Sequence, residues 1–336
     1  MRYTDVKILA IAHYSAGKTQ PAIILTSSPG TGKTSLGFDI AKEMGYTDDQ
    51  ITLFRPSLRD PVDLLGAPDI RGETMRWKMP DELARLQTGK HFLIIDEIND
   101  SVLMMQNALC GLLLDRRVGE LKLSDDVKIF CTGNRVEDKS GAQRIITKLS
   151  NRVMKLNLDV HLDDWIEWAF DNNVPITQIS FMRFRPGLLN AFDPMKQSNP
   201  TPRSWDFVSK IPSTLPQFLY HEAVKGYVGE GAAAEYVGFR AIAEKLPDPD
   251  EVLEDPNKAE VPSDPATLYA LTGALCERIK PDTHEVKFPQ LCAYIKRIPA
   301  EFQVLALRDA YKFCPAIGVS KQFTDWANKN SKVLMG

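Results

Sequence analysis

The segment Ser27-Ser28-Pro29-Gly30-Thr31-Gly32-Lys33-Thr34 constrains this chain more than any other. Before it, Ala22-Ile23-Ile24-Leu25-Thr26 is a short apolar run suited to a buried strand. After it, Ser35-Leu36-Gly37-Phe38-Asp39-Ile40-Ala41 brings Leu36, Ile40 and Ala41 to one helical face. Strand, glycine-rich turn and helix start is the setting of a phosphate-binding loop. Backbone N–H groups in such a turn line an anion-binding concavity, and the helix N-terminus adds partial positive charge. Ser28, Pro29, Gly30, Thr31, Gly32, Lys33, Thr34 and Ser35 are therefore the candidate nucleotide-binding residues. Lys33 is expected to reach the terminal phosphates, and the Thr34 hydroxyl to hold Mg²⁺. Ser27 stands where the motif opens with glycine, so a non-glycine residue must begin the loop.

The remainder of the first half alternates two kinds of segment. Strand-like runs are Ala22–Thr26, Ile51–Phe54, Phe92–Ile95, Val127–Cys131 and Val153–Leu156. Helix-like runs lie near Lys33–Met44, Asp81–Leu86, Val102–Leu114 and Ala142–Leu149. The alternation predicts an α/β fold, a five-stranded parallel sheet covered by helices on both faces. Beyond about Asp159 the strand signal fades, and Leu162, Trp165, Ile166 and Ala169 share a helical face. Prolines from Pro175 to Pro216 predict short helices and turns, and acids crowd with prolines from Pro247 to Pro265. The expected organisation is an α/β core over 1–158 and a helical lid over 159–246. An exposed acidic linker over 247–265 and a C-terminal helical region over 266–336 follow. Ala266–Ile279 and Ala300–Phe313 are amphipathic there.

His91-Phe92-Leu93-Ile94-Ile95-Asp96-Glu97 is an apolar strand ending in two acids. A phosphate-loop enzyme needs a carboxylate beside Mg²⁺, a role that suits Asp96, while Glu97 is placed to deprotonate an attacking water. Val127-Lys128-Ile129-Phe130-Cys131-Thr132-Gly133-Asn134-Arg135 is another strand with a polar tip. Asn134 there is either a contact to the terminal phosphate or the lytic water, or a turn-capping residue, since Gly-Asn is strong turn chemistry. Ser15-Ala16-Gly17-Lys18-Thr19 imitates a phosphate loop, but no glycine-rich turn precedes it and Pro21 follows; it is expected to be a polar link.

Together these residues resemble the AAA+ ATPases, and within them the MoxR-like group with a dynein-related ATPase domain. The resemblance spans about Ala22 to Ser209. It rests on the Walker A loop Ser27–Thr34, the Walker B strand Phe92–Glu97 with Ile98-Asn99, and the sensor 1 strand ending Thr132-Gly133-Asn134-Arg135. Asp63-Leu64-Leu65-Gly66 and Arg71-Gly72-Glu73 before Trp77 resemble the family's insertion in its second helix. Asp115-Arg116-Arg117-Val118-Gly119-Glu120 resembles its hairpin before sensor 1. The resemblance implies ATP and Mg²⁺ as cofactors, with Lys33 and Thr34 on phosphate and metal. It also implies Asp96 supporting Mg²⁺, Glu97 as general base and Asn134 as sensor 1. It implies Arg152, in Leu149-Ser150-Asn151-Arg152-Val153, as an arginine finger, with Arg144 and Arg135 as competitors. Thr201-Pro202-Arg203-Ser204-Trp205 resembles sensor 2, with Arg203 in the first turn of a helix and Trp205 in the lid core. A cation at a helix start is electrostatically disfavoured, which a nearby phosphate would offset.

A finger acting on a neighbouring subunit requires a homo-oligomer. The family implies a closed hexamer remodelling a protein client, often one with a von Willebrand factor A domain. A nucleic-acid motor on the same core is the alternative, and Arg71, Arg76, Trp77 and Lys78 are its candidate contacts. The net charge of −3 gives no electrostatic drive toward it. A GTPase or small phosphate-loop kinase is disfavoured, since Asn134-Arg135-Val136-Glu137 is not an Asn-Lys-x-Asp base reader and small kinases seldom carry an Asp-Glu strand end with a sensor arginine. Cys110, Cys131, Cys276, Cys292 and Cys314 sit in apolar surroundings without metal-like spacing, as buried thiols of a reducing cytoplasm would. No apolar run approaches the ~20 residues that cross a bilayer, so no membrane partner is expected.

Overall fold

The computed structural model describes residues 1–138, Gln143, Lys148 and 152–329. Contacts divide the chain into two compact units, residues 1–164 with 190–203, and residues 165–189 with 204–336.

In chain order the first unit contains α1 (Tyr3–Ser15), β1 (Ile23–Ser27), α2 (Lys33–Glu43), β2 (Ile51–Phe54) and α3 (Pro61–Leu65). Next come β3 (Ala67–Asp69), β4 (Arg76–Lys78), α4 (Asp81–Ala84), β5 (Phe92–Ile95) and α5 (Leu103–Leu114). β6 (Arg117–Val118), β7 (Leu121–Lys122), β8 (Lys128–Asn134) and β9 (Met154–Asn157) complete its strands. The central sheet has the order β2-β5-β8-β1-β9, and every pairing in it is parallel. β1, β2, β5 and β8 are rich in β-branched and aromatic residues, and side chains of the sheet alternate between two apolar layers. Ile24, Leu93, Ile95, Ile129 and Cys131 pack in one layer with Leu64, Leu83, Met105 and Leu109. Ile23, Leu25, Phe92, Ile94 and Phe130 pack in the other with Val6, Ala10, Tyr14, Leu36 and Ile40. Burial on both faces is what continuous apolar strands of a parallel sheet require. Two small antiparallel hairpins, β3–β4 and β6–β7, stand where the second-helix insertion and the hairpin before sensor 1 are expected.

The strand readings fit to within a few residues, but α1 escapes notice because its sequence has almost no segregated apolar face. Buried Val6, Ala10 and Tyr14 hold it, and the Tyr14 hydroxyl donates to the Ile129 carbonyl oxygen at 2.6 Å. The link after α1 behaves as expected, since Lys128 Nζ donates to the carbonyl oxygens of Gly17 and Lys18. Most of the helix expected over 142–149 lies outside the described residues.

The second unit is helical. α6 (Leu162–Asp171) enters it, followed by α7 (Ile176–Phe184), α8 (Pro202–Ser209), α9 (Gln217–Val228) and α10 (Glu230–Ala243). α11 (Pro249–Glu254), α12 (Pro265–Glu277), α13 (His284–Ile295), α14 (Ala300–Phe313) and α15 (Lys321–Lys329) complete it. Trp205 is fully buried as expected and meets Phe181 and Tyr236. The stretch from Pro247 to Pro265 is not wholly an exposed linker. It carries α11, started by Asp248 and Pro249, and buries Val252 and Leu253 in the cluster that holds Leu271, Leu291 and Phe302. Proline at a helix start costs no hydrogen bond, so the prolines that suggest a linker serve here as helix openings. The lid and the C-terminal helices accordingly share one compact unit rather than two.

Candidate functional site

The polar tips of β1, β5 and β8 lie side by side, with Ser27 opposite Asn134 and Ile95 opposite Cys131. In parallel α/β sheets this carboxyl edge is where ligands bind. Ser27 ends β1, and its Oγ donates to the Leu158 carbonyl oxygen at 2.8 Å, so the position needs no glycine. The loop bends instead at Gly30 and Gly32, with φ of 76° and 88°, where glycine avoids the strain of a Cβ. A Cβ on Gly30 would also lie 2.7 Å from Thr201 Oγ1. Gly32 caps α2, so the N-terminus of that helix points its free N–H groups into the loop.

Lys33 is buried beneath this loop. Its Nζ donates to the carbonyl oxygens of Ser27 (3.1 Å) and Ser28 (2.8 Å) and to Asn134 Oδ1 (2.9 Å). Burial, with the Arg203 charge adding to it, lowers its pKa from 10.5 to about 8, against the opposing pull of Asp96, Glu97 and Asp100. The Thr34 hydroxyl donates to Asp96 Oδ1 at 2.7 Å, and the Thr132 hydroxyl donates to the same oxygen at 2.6 Å. Arg55 Nε donates to Asp96 Oδ2 at 3.3 Å. A hydroxyl and a carboxylate in contact form a hard oxygen pair that suits Mg²⁺, which keeps several waters and phosphate oxygens as its other ligands. Among the described residues no group of three or more His, Cys, Asp or Glu forms a closed metal cage.

Glu97 follows in a left-handed conformation, φ 57° and ψ 46°, uncommon for a residue with a side chain. Its N–H donates to Thr132 Oγ1 at 3.0 Å, which ties the strained turn to β8. Asn134 is not a simple turn cap. It sits at the end of β8, between the phosphate-loop strand and the Asp96 strand, with its carboxamide bridging Lys33 and Asp100. Asn99 clamps its backbone, accepting from its N–H (3.0 Å) and donating to its carbonyl oxygen (2.8 Å).

The arginines separate. Arg203 N–H donates to the Gly30 carbonyl oxygen at 3.0 Å, a contact within the first unit that ties Arg203 to the phosphate loop. Arg152 is exposed in the turn leading into β9. Arg135 is tied within its own chain to Asp159 at 3.0 Å and to the Leu158 carbonyl oxygen. Arg144 lies outside the described residues. Sequence reasoning missed Arg55, Asp100 and Thr132. Thr132 belongs to a segment already singled out and Asp100 directly follows one, but only the pairing of β5 with β8 shows that they reach Asp96 and Asn134.

No family model matches the chain. Over 164 residues it is 34% identical to midasin of Giardia intestinalis, a stretch covering 46% of this chain and 3% of midasin. Over 146 residues it is 27% identical to the Lon protease of Aquifex aeolicus (strain VF5), covering 39% of this chain and 18% of that protein. The matches thus span a small part of either relative. Among solved structures, a mutant RuvB of Thermotoga maritima aligns over 85% of each chain at 18% identity, with a TM-score of 0.40. NtrX of Brucella abortus, solved with ATP, aligns over 72% of this chain and 63% of its own at 14% identity, with a TM-score of 0.36. The two curated matches support the AAA+ ATPase family to which the motifs and the strand order point.

Proposed function

We propose that this chain, an AAA+ ATPase of the MoxR-like group, hydrolyses ATP with Mg²⁺ at the subunit interfaces of a hexameric ring. The energy drives chaperone-like remodelling of a partner protein. The observation that carries the ATPase reading is the single hydrogen-bonded set at one sheet edge. In it Lys33 meets Asn134, and Thr34 meets Asp96. The loop from Ser28 to Ser35 binds the phosphates through its N–H groups, and Lys33 leaves its carbonyl partners for them. Thr34 and Asp96 hold Mg²⁺, which when bound supplies positive charge at the phosphates. Glu97 takes a proton from the attacking water, and Arg203 adds charge from the start of α8.

Interface catalysis rests on Arg152, which is exposed and open to a neighbouring subunit while Arg135 is occupied by Asp159. An arginine finger contributes about 10³-fold or more in rate. Arg152→Ala subunits and Lys33→Ala subunits are therefore each inactive alone and regain activity on mixing. Mixtures as inactive as their components would sink the ring reading and leave the nucleotide site standing. Five buried free thiols fit a reducing, cytoplasmic setting, and a client with a von Willebrand factor A domain follows from the resemblance.

A nucleic-acid motor is the second reading, favoured by the exposed Arg76, Trp77 and Lys78 of β4. Lys78 and Arg71 pair with Asp69, which dilutes that charge. Hydrolysis stimulated by DNA and lost steeply with salt would establish it; indifference to DNA leaves the protein client.

A further inference from the structure

Asp100 ends the short 3-10 turn Ile98–Asp100 that follows Glu97, and no motif gives it a role. Its Oδ2 accepts a hydrogen bond from Asn134 Nδ2 at 2.8 Å. The other end of that carboxamide, Oδ1, accepts from Lys33 Nζ at 2.9 Å. Burial raises the Asp100 pKa, against the opposing effects of the Asn134 bond and the Lys33 charge.

A carboxamide offers an acceptor at one end and a donor at the other, and half a turn about its last bond exchanges them. At Asn134 each end meets the charge that favours it. The reversed amide would set N–H groups against an ammonium and an oxygen against a carboxylate. Asn99 already fixes the Asn134 backbone on both sides, so rotation of the side chain is the freedom left to control. Lys33 holds one end only until phosphate draws its ammonium away. Asp100 belongs to the turn after β5 and is then the partner left to the other end.

We propose that Asp100 is a positioning residue that fixes the Asn134 carboxamide with its oxygen toward the phosphate loop. This rests on the ATPase reading and sharpens it. Asn134 then acts as a hydrogen-bond acceptor, suited to the O–H of the attacking water. It is not a donor to phosphate. Loss of Asp100 therefore slows turnover and spares nucleotide binding.

The test compares Asp100→Asn, which keeps an oxygen to accept from Nδ2, with Asp100→Leu, which fills similar space with none. The expected result with ATP and Mg²⁺ is a loss of about tenfold or more in kcat for Asp100→Leu. Its KM should stay within about twofold, with most activity retained by Asp100→Asn. In an Asn134→Ala background, Asp100→Leu should cost nothing further. A wild-type kcat in Asp100→Leu, a KM effect alone, or an equal loss in the Asn134→Ala background overturns the proposal. The side-chain amide signals of Asn134, identified by their loss in Asn134→Ala, give a readout without nucleotide. They should shift and exchange faster with solvent in Asp100→Leu but not in Asp100→Asn; unchanged signals refute the positioning role itself. If those signals respond while the wild-type protein hydrolyses no ATP, the ATPase reading fails and the coupling of Asp100 to Asn134 stands.

Discussion

Replacing Lys33 by methionine should change how folding stability depends on pH, in a direction that the burial of its ammonium dictates. The folded pKa is about 8, against an ordinary value of 10.5. Between those values the unfolded chain holds a proton that the folded chain has released. Stability therefore rises with pH through that window, because the cost of burying a charged ammonium disappears as Lys33 becomes neutral. The whole interval corresponds to about 3 kcal/mol, at about 1.4 kcal/mol for each tenfold change in acidity. Buried tyrosines act oppositely at the alkaline end. Burial raises the pKa values of Tyr3, Tyr14 and Tyr236, so the unfolded chain loses those protons first. The difference between wild type and Lys33→Met removes their contribution. The assay is urea unfolding of both proteins from about pH 7.5 to about pH 10.5, without nucleotide. Wild type should gain about 3 kcal/mol on the variant across that range. A flat difference would mean that the ammonium is as well solvated folded as unfolded. Nucleotide phosphates favour the charged amine, so binding at about pH 9 should take up a proton, seen as a buffer-dependent heat in calorimetry.

Two further predictions test packing. Gly133→Ala would place a Cβ 2.7 Å from Asn99 Oδ1, displacing the side chain that clamps Asn134. It should cost about 1–3 kcal/mol in denaturant unfolding and lower turnover together with it; full stability with full turnover would show that Asn99 has room to move. In the helical unit, Arg183 pairs with Asp309, their side chains only 10% and 2% exposed. Asp309→Ala should destabilise that unit by about 3–5 kcal/mol through the stranded guanidinium, whereas Arg183→Met with Asp309→Leu should come close to neutral. Equal losses in the single and the double variant would refute that account.

The α/β core was legible because its signals are local. An apolar strand, a Gly-Thr-Gly-Lys turn and a helical face each occupy a few neighbouring residues, and β1, β2, β5, β8 and β9 fall where those runs predict. Acids at the tip of β5 and an asparagine at the tip of β8 were legible for the same reason. What escaped depends on partners distant in sequence. Thr132 matters only because β8 lies beside β5, and Asp100 only because Asn134 reaches it. α1 is held by Tyr14 against β8 rather than by its own pattern. α11 was hidden by prolines that open helices as readily as they break them.

Glu97 as the base of a hydrolytic ATP site is the role on which the proposed function turns. Turnover of ATP with Mg²⁺ by wild type and Glu97→Gln, beside nucleotide affinity measured on the same two proteins, tests it most directly. Wild type should hydrolyse ATP, and the variant should bind ATP with equal affinity and turn over about 10²–10⁴-fold more slowly. A variant that hydrolyses ATP at the wild-type rate would contradict it.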